Sequence, residues 1–192
     1  MYNKPFMFVV LIIALIAGGS YIIADQTIVN TITIDADHQI FNSYQELSED
    51  ADLIVEVTAT DESVHINKEE SESETRYTVT RVEINQVLGN KGHQELKDYI
   101  HVLEPTYIVR NKGIYTGVTR YTYGDYTPMQ AGYRYVLFLS WDEKHNGYWI
   151  TSLEQGKFNV DQKDSAERAP AEKILQVKAL KEDVFEHLGY SD

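Results

Sequence analysis

The longest buried-strand signal in the chain lies within residues 129–141, where five apolar residues follow one another from Tyr135 to Leu139. A strand with one face in water would carry a polar residue at every second position, so this unbroken run predicts a central strand that is covered on both faces. Gly132 precedes the run and a turn-forming stretch at 142–147 follows it. These boundaries favour a strand over the alternative of a short buried helix.

Other segments are predicted to be strands because they alternate apolar and polar positions or are rich in β-branched residues. They are residues 27–34, 51–60, 76–88, 99–104, 147–151 and 156–160. The polar stretch 61–75 lacks the acidic spacing of a calcium loop and is predicted to be a solvated hairpin tip. Residues 107–132 are predicted to be a long excursion that returns to the central strand.

Two helices are predicted outside the membrane segment. Ser43 and Glu46 have the spacing of a capping box, which predicts a short helix that ends near Asp50. A second helix is predicted from Pro170 to Gly189, because apolar residues recur at intervals of three and four. These apolar residues are Ile174, Val177, Leu180, Val184 and Leu188. We expect this amphipathic helix to pack on the strands.

The order of these elements predicts a mainly β fold, a small Greek-key barrel of the OB type. A short N-terminal helix and a C-terminal amphipathic helix accompany the barrel, and one membrane helix precedes it. The expected division is a signal anchor or signal peptide at 1–24, a strand or linker leaving the membrane at 25–42, the barrel at 43–165 and the packed helix at 166–192.

The N-terminal apolar segment, residues 6–24, contains nineteen residues and no charge. At about 1.5 Å per residue it just spans a hydrocarbon core of about 30 Å. Lys4 precedes the segment, and the next basic residue is Lys68. Because positive charge stays on the cytoplasmic side, we expect a cytoplasmic N-terminus and an outside domain, as a single-pass protein of the cell membrane. Cleavage near Ala17-Gly18-Gly19 stays open as an alternative and would give a secreted protein.

Composition narrows the possible chemistry. The formal net charge is −13, which argues against nucleic acid as a partner. The chain has no cysteine, which excludes disulfides, thiolate metal sites, a cysteine nucleophile and a lipoprotein anchor. The six histidines have no metal-binding spacing, and no serine-nucleophile motif occurs. No metal or cofactor is therefore expected. A carboxylate pair for hydrolysis of a cell-wall polymer stays open.

The excursion differs from the rest of this acidic chain. Residues 107–135 hold seven of the fourteen tyrosines and four basic residues against one aspartate. Tyrosine faces and cationic donors suit a cell-wall glycan, an anionic polymer or a protein ligand. The candidate ligand-binding residues are Tyr107, Arg110, Lys112, Tyr115, Arg120, Tyr121, Tyr123 and Tyr126. The alternative is that alternating tyrosine and threonine form an extra hairpin with high β propensity.

Five sequence blocks follow one another in a familiar order. They are Glu49-Asp50-Ala51-Asp52-Leu53-Ile54-Val55, residues 77–83, residues 86–89, Met129 to Leu139 with Gly132, and Gln155-Gly156-Lys157-Phe158. This order, which covers about residues 44–160, resembles uncharacterised secreted or membrane-anchored proteins of Gram-positive bacteria. More distantly it resembles the netrin and metalloproteinase-inhibitor type of OB barrel. The resemblance implies the fold and an extracytoplasmic location. The inhibitors act through an N-terminal cysteine that this chain lacks, so their activity does not carry over.

Together these patterns predict a non-enzymatic binding or accessory domain that residues 6–24 tether to the outer face of a bacterial membrane. The alternative is a cell-wall polymer hydrolase with an unidentified carboxylate pair.

Overall fold

The computed structural model describes residues 26–70, 73–92, 95–112, 116–167 and 171–190. Within these ranges the protein is mainly β, as predicted from the sequence. The strands are β1 (Ile28–Ile34), β2 (Leu53–Glu70), β3 (Ser73–Asn90), β4 (Tyr99–Glu104), β5 (Thr106–Arg110), β6 (Val118–Tyr123), β7 (Arg134–Asp142), β8 (Gly147–Ile150) and β9 (Lys157–Asn159). The helices are α1 (Tyr44–Asp50), α2 (Ala171–Leu188) and a short 3-10 helix, Leu153–Gly156.

The predicted membrane segment, residues 6–24, lies outside the described residues. In the described part of the chain, neither helix has the length and apolar character needed to cross a bilayer.

Six strands form the larger sheet, in the order β2-β3-β4-β8-β7-β9, and β2 pairs in addition with β7. The β4–β8 pairing is parallel, and the others are antiparallel. β2 pairs with β7 over Leu53–Thr58, where Leu53 lies opposite Leu139. The start of β2 therefore pairs with a strand on each side.

The described residues fall into two compact units. The larger one comprises residues 33–107 and 122–190 and contains the six-stranded sheet and both α-helices. The smaller one comprises residues 26–32 and 108–121. It contains most of β1, the part of β5 from Ile108 onward and the part of β6 up to Tyr121. These strands pair in the order β1-β6-β5.

The prediction of a central strand covered on both faces is confirmed by β7. Tyr135, Leu137 and Leu139 belong to one core cluster, together with residues of β2, β3, β4 and β8. Val136 and Phe138, on the opposite face, belong to a second cluster with residues of α1, β9 and α2. Strand β7 therefore lies between two apolar cores.

Both predicted helices are confirmed. The Ser43 hydroxyl accepts the Glu46 backbone N–H at 3.2 Å, which caps the start of α1. In a capping box the Glu46 carboxylate would accept the backbone N–H of Ser43. Here it accepts the backbone N–H of the preceding residue, Asn42, at 2.9 Å. In α2, the predicted apolar stripe contributes Leu180 and Val184 to the second core cluster.

Two segments predicted to be irregular contain strands. Within 61–75, β2 continues to Glu70 and β3 begins at Ser73, so the hairpin arms are longer than predicted. Cross-strand pairing satisfies the backbone there even though the side chains are polar. Within 107–132, β5 and β6 lie side by side, as the extra-hairpin alternative expected.

Candidate functional site

The tyrosines predicted to form an exposed binding surface do not all reach the surface. Tyr126 is 1% exposed and Tyr107 is also buried, so the prediction of an exposed surface is wrong for both. Tyr121 and Tyr123 are partly buried, and Tyr115 lies outside the described residues.

Tyr126 is buried together with Glu104, and its hydroxyl is one of the donors that satisfy this buried carboxylate. The Tyr126 hydroxyl donates to Glu104 Oε2 at 2.6 Å, and the Met129 N–H donates to the same oxygen at 2.8 Å. The Thr80 hydroxyl donates to Oε1. Burial, followed by the charge and the hydrogen bond of Glu104, raises the pKa of Tyr126 well above its ordinary value. The phenol therefore stays protonated and acts as a structural donor.

Tyr107 is covered by its neighbours. Its ring centroid lies 5.6 Å from the guanidinium carbon of Arg76 and 6.3 Å from the ring centroid of Tyr123. A cation over an aromatic face is attractive, and this contact occupies the face that a ligand would use. Tyr107 and Tyr123 therefore act first as packing residues.

The predicted basic residues lie in the smaller unit. Arg110 and Lys112 are exposed, and Arg120 is partly exposed. Asn111, between the first two, is hydrogen-bonded to residues at the start of β6. Its N–H donates to Gly117 O at 3.1 Å, and its Oδ1 accepts the Thr119 hydroxyl at 2.8 Å. Arg110 and Lys112 thus flank a residue that is fixed by hydrogen bonds.

A second group of aromatic and basic residues, in the larger unit, lies on the outward side of β3, β4 and β8. Thr80 and Val82 on β3, like Ile100 and Val102 on β4, are buried. Among the alternating positions, Arg81, Tyr99, His101 and Trp149 are exposed or partly exposed. With the partly exposed turn residue His145, we call them the aromatic face. Tyr77 lies on the same side of the sheet but is buried, at 9% exposed.

The strand register brings these residues together. Arg81 lies opposite His101, and Trp149 lies beside Leu103, which is two residues after His101 on β4. The Arg81 guanidinium carbon is 4.4 Å from the Tyr99 ring centroid. The rings of Tyr99 and His101 pack edge to face, with their centroids 5.8 Å apart. Arg81 Nη1 also lies 2.6 Å from Glu62 Oε1, which orients the guanidinium.

Asp142 organises the other end of the aromatic face. Its Oδ2 accepts hydrogen bonds from His145 Nδ1 at 2.7 Å and from Trp149 Nε1 at 2.8 Å, and its Oδ1 accepts the His145 N–H at 3.1 Å. Burial alone would raise the pKa of Asp142, but these hydrogen bonds outweigh burial and lower it to about 2.

The buried ring of Tyr77 supports this end of the aromatic face from within the fold. This ring packs edge to face against two others, with the ring centroids 5.2 Å apart for His145 and 5.3 Å apart for Trp149. Burial, followed by the nearby charge of Asp142, raises the pKa of Tyr77. The imidazole and the indole are therefore held by one carboxylate and one ring, which fixes their orientation before any ligand arrives.

The chemistry that this arrangement supports is recognition. Fixed aromatic rings stack on flat apolar surfaces such as sugar rings, and Arg81 and His101 add polar contacts. Among the described residues, no three His, Asp or Glu side chains are placed to hold a metal ion. The Asp142 carboxylate is occupied by His145 and Trp149, and the Glu104 carboxylate is enclosed by donors.

The sequence contained a partial signal for the aromatic face. The alternation along β3 already separates Tyr77 and Arg81 from Thr78 and Thr80. The pairing of β4 with β8, which is not a neighbour in the chain, brings Trp149 to the same face. That pairing is not visible in local periodicity.

Comparison of the chain with protein-family models, with curated proteins and with solved structures found no match in any of the three.

Proposed function

We propose that this chain is a non-enzymatic binding domain with an OB-type barrel, and that its aromatic face binds a cell-wall glycan. In this proposal residues 6–24 tether the domain to the outer face of a bacterial membrane. The relationship to secreted or membrane-anchored proteins of Gram-positive bacteria, with a distant relationship to the netrin and metalloproteinase-inhibitor type, is part of the same proposal.

The strand pairings support the OB type. β2 pairs with β3, β3 with β4, β4 with β8, β8 with β7, and β7 with β2. The parallel pair is β4–β8, and a hairpin joins β7 to β8. A five-stranded Greek-key barrel requires a cyclic pairing order of this kind, and such barrels bind oligosaccharides and oligonucleotides on one face.

The observation that carries the proposal is the preorganised aromatic face. Tyr77, His145 and Trp149 contact one another, and Asp142 fixes the imidazole and the indole by hydrogen bonds. A rigid set of rings loses little entropy when a ligand binds. The net charge of −13 favours a neutral or weakly charged ligand over nucleic acid on this face.

The basic residues Arg110, Lys112 and Arg120 are a separate candidate contact in the smaller unit. Their exposure is consistent with contact to an anionic polymer, which would act through screened electrostatics. Tyr121 adds a partly exposed ring to this segment. We propose that this segment supplies an additional, salt-sensitive contribution.

The uneven charge distribution supports the outside location. Between residues 25 and 67 the chain carries ten carboxylates and no Lys or Arg, whereas Lys4 precedes the apolar segment. Positive charge is retained on the cytoplasmic side, so this pattern favours a cytoplasmic N-terminus.

Sedimentation with purified sacculi of a Gram-positive bacterium tests the binding proposal with the full chain in detergent. The double variant Tyr99→Ala with Trp149→Ala removes two rings of the aromatic face. We expect at least about a tenfold weaker retention, as for the loss of hot-spot aromatics. The matched control is Tyr44→Ala, because Tyr44 also stacks on a histidine, His187, but lies on α1. This control should bind like the parent.

A second pair of variants separates the glycan from anionic polymers. Arg110, Lys112 and Arg120 changed together to Ser should bind acid-extracted sacculi normally, and should lose the salt-dependent part of retention on intact sacculi. The control changes the exposed Lys97, Lys163 and Lys178 to Ser.

For the aromatic face itself, the decisive result is the retention on sacculi of the double variant Tyr99→Ala with Trp149→Ala. If it equals that of the parent, the proposal for the aromatic face is overturned.

The hydrolase alternative has no specific observation in its favour among the described residues. Release of soluble sugar from sacculi by the parent chain would restore it.

A further inference from the structure

Lys157, the first residue of β9, is buried to an unusual degree for a lysine. Its side chain is 1% exposed, and its Nζ makes no hydrogen bond. Lysine is rarely buried to this degree, because an ammonium group loses its hydration there. This amine therefore needs a chemical explanation.

The groups around Lys157 Nζ are two carboxylates and two rings. Glu167 Oε2 lies 3.5 Å away and Asp164 Oδ2 lies 3.9 Å away. The Tyr135 and Tyr126 ring centroids lie at 4.8 Å and 5.8 Å. The Asp164 side chain is also 1% exposed. An amine and a carboxyl group thus meet in a site that excludes water.

The carboxyl group of Asp164 is held and polarised. Its Oδ2 accepts the Tyr135 hydroxyl at 2.8 Å, and its Oδ1 accepts the Ala166 N–H at 3.1 Å. The Asp164 N–H donates to Asn159 Oδ1 at 3.1 Å, which folds the segment after β9 back over Lys157. Donors on both oxygens withdraw electron density from the carboxyl carbon, as in sites of acyl transfer.

The ionic state of this pair is only partly compensated. Two carboxylates and two rings surround the Lys157 ammonium, but no hydrogen bond satisfies it, and buried charges repay their desolvation best when hydrogen bonds do so. An amide between the two side chains would remove both charges from the core. Proximity in a fixed geometry makes such a condensation effectively unimolecular.

We propose that Lys157 and Asp164 condense into an intramolecular amide, with Glu167 as the proton carrier. The Nζ–Cγ bond forms, and one Cγ–Oδ bond breaks. The departing oxygen leaves as water with two protons from the ammonium group, so one hydrogen stays on the amide nitrogen. Glu167, in contact with Nζ, accepts a proton and delivers it to the leaving oxygen. No oxidant, cofactor or other reactant is required.

A second lysine–aspartate pair in the same segment provides an internal comparison. Lys163 Nζ lies 3.4 Å from Asp161 Oδ2, which is closer than the Lys157–Asp164 pair, but the Lys163 side chain is 62% exposed. If distance alone decided, this pair would condense first. Since exposed ions stay hydrated and charged, we expect no amide between Lys163 and Asp161.

Tryptic mapping of the denatured full chain tests the proposal. An unmodified chain gives separate peptides 145–157, 158–163 and 164–168. The amide blocks cleavage after Lys157 and joins peptide 145–163 to peptide 164–168, with a total mass lower by one water, about 18 Da. Cleavage after Lys163 should stay normal. A loss of water confined to peptide 164–168, with normal cleavage after Lys157, would indicate a succinimide and overturn the proposal.

Two variants assign the roles. Lys157→Arg should give only linear peptides, even if it unfolds, because guanidinium does not form the amide under these conditions. Glu167→Gln should keep an acceptor for the Asn159 N–H and lose most of the joined peptide. A parent chain that gives only the three separate peptides overturns the proposal. A joined peptide at the parent level in Glu167→Gln would overturn the role of Glu167.

Discussion

At the scale of single residues, Asp142 links the aromatic face to the stability of the fold. Its carboxylate receives hydrogen bonds from His145 and Trp149, and its pKa falls to about 2 although burial opposes this shift. A carboxyl group whose pKa is lowered in the folded state stabilises that state above its unfolded pKa. This contribution disappears as the pH falls through the folded pKa.

We expect Asp142→Asn to lower the free energy of unfolding at pH 7 by about 1 kcal/mol, a value reduced for solvent screening of this partly exposed group. The difference from the parent should shrink as the pH falls from about 5 to about 2, because the parent then loses the same contribution. Urea unfolding across this range measures it. Asp61→Asn, at an exposed position on β2, is the control. A difference that stays constant across this range would contradict the prediction.

At the scale of elements, β7 joins the two cores of the larger unit. Leu137 faces the cluster enclosed by β2, β3, β4 and β8, whereas Phe138 faces the cluster formed with the helices. Over residues 135–139, neither face of this strand meets water. Truncation on either side should therefore leave a cavity rather than a solvated gap.

We expect Leu137→Ala and Phe138→Ala each to lower the free energy of unfolding by about 2–5 kcal/mol. Leu175→Ala is the control, because Leu175 on α2 is 77% exposed, and it should change stability by no more than about 0.5 kcal/mol. Equilibrium unfolding in urea measures all three variants. If either β7 variant unfolded like the parent, that face of the strand would not be part of a core.

The sequence predicted the elements better than their assembly. The unbroken run at 135–139 predicted β7, and the spacing of Leu180 and Val184 predicted the buried side of α2. The burial of Tyr126 escaped prediction because it depends on Glu104, which precedes it by more than twenty residues. Periodicity assigns a residue to one side of a strand, whereas the partner across the core depends on long-range pairing.

The same limit applied to the candidate sites. The count of tyrosines and cations at 107–135 predicted a binding segment, and exposure agrees with that for Arg110 and Lys112. The aromatic face draws one residue or two from each of several separate segments, so no local count reveals it. Lys157 gave no sequence signal either, because an isolated lysine is ordinarily a surface residue.

At the scale of the whole molecule, the charge distribution predicts the orientation of the chain in a membrane. Lys4 precedes the apolar segment, and the next basic residue is Lys68. We expect protease added to intact protoplasts to digest the domain, because the positive-inside rule places it outside. A cytosolic marker that stays intact is the control. Complete protection of the domain in the same sample would contradict the predicted orientation.

The pairing of β2 with β7 also affects the order in which the fold is completed. Leu53 pairs with Leu139, more than eighty residues later in the chain. A chain that emerges N-terminus first exposes the apolar side of β2 until β7 has followed. Contacts so distant along the chain slow folding to times on the order of milliseconds to seconds, because a long loop must close before they form. During synthesis, the nascent domain is therefore open to aggregation until β7 has emerged, at about three quarters of the chain length.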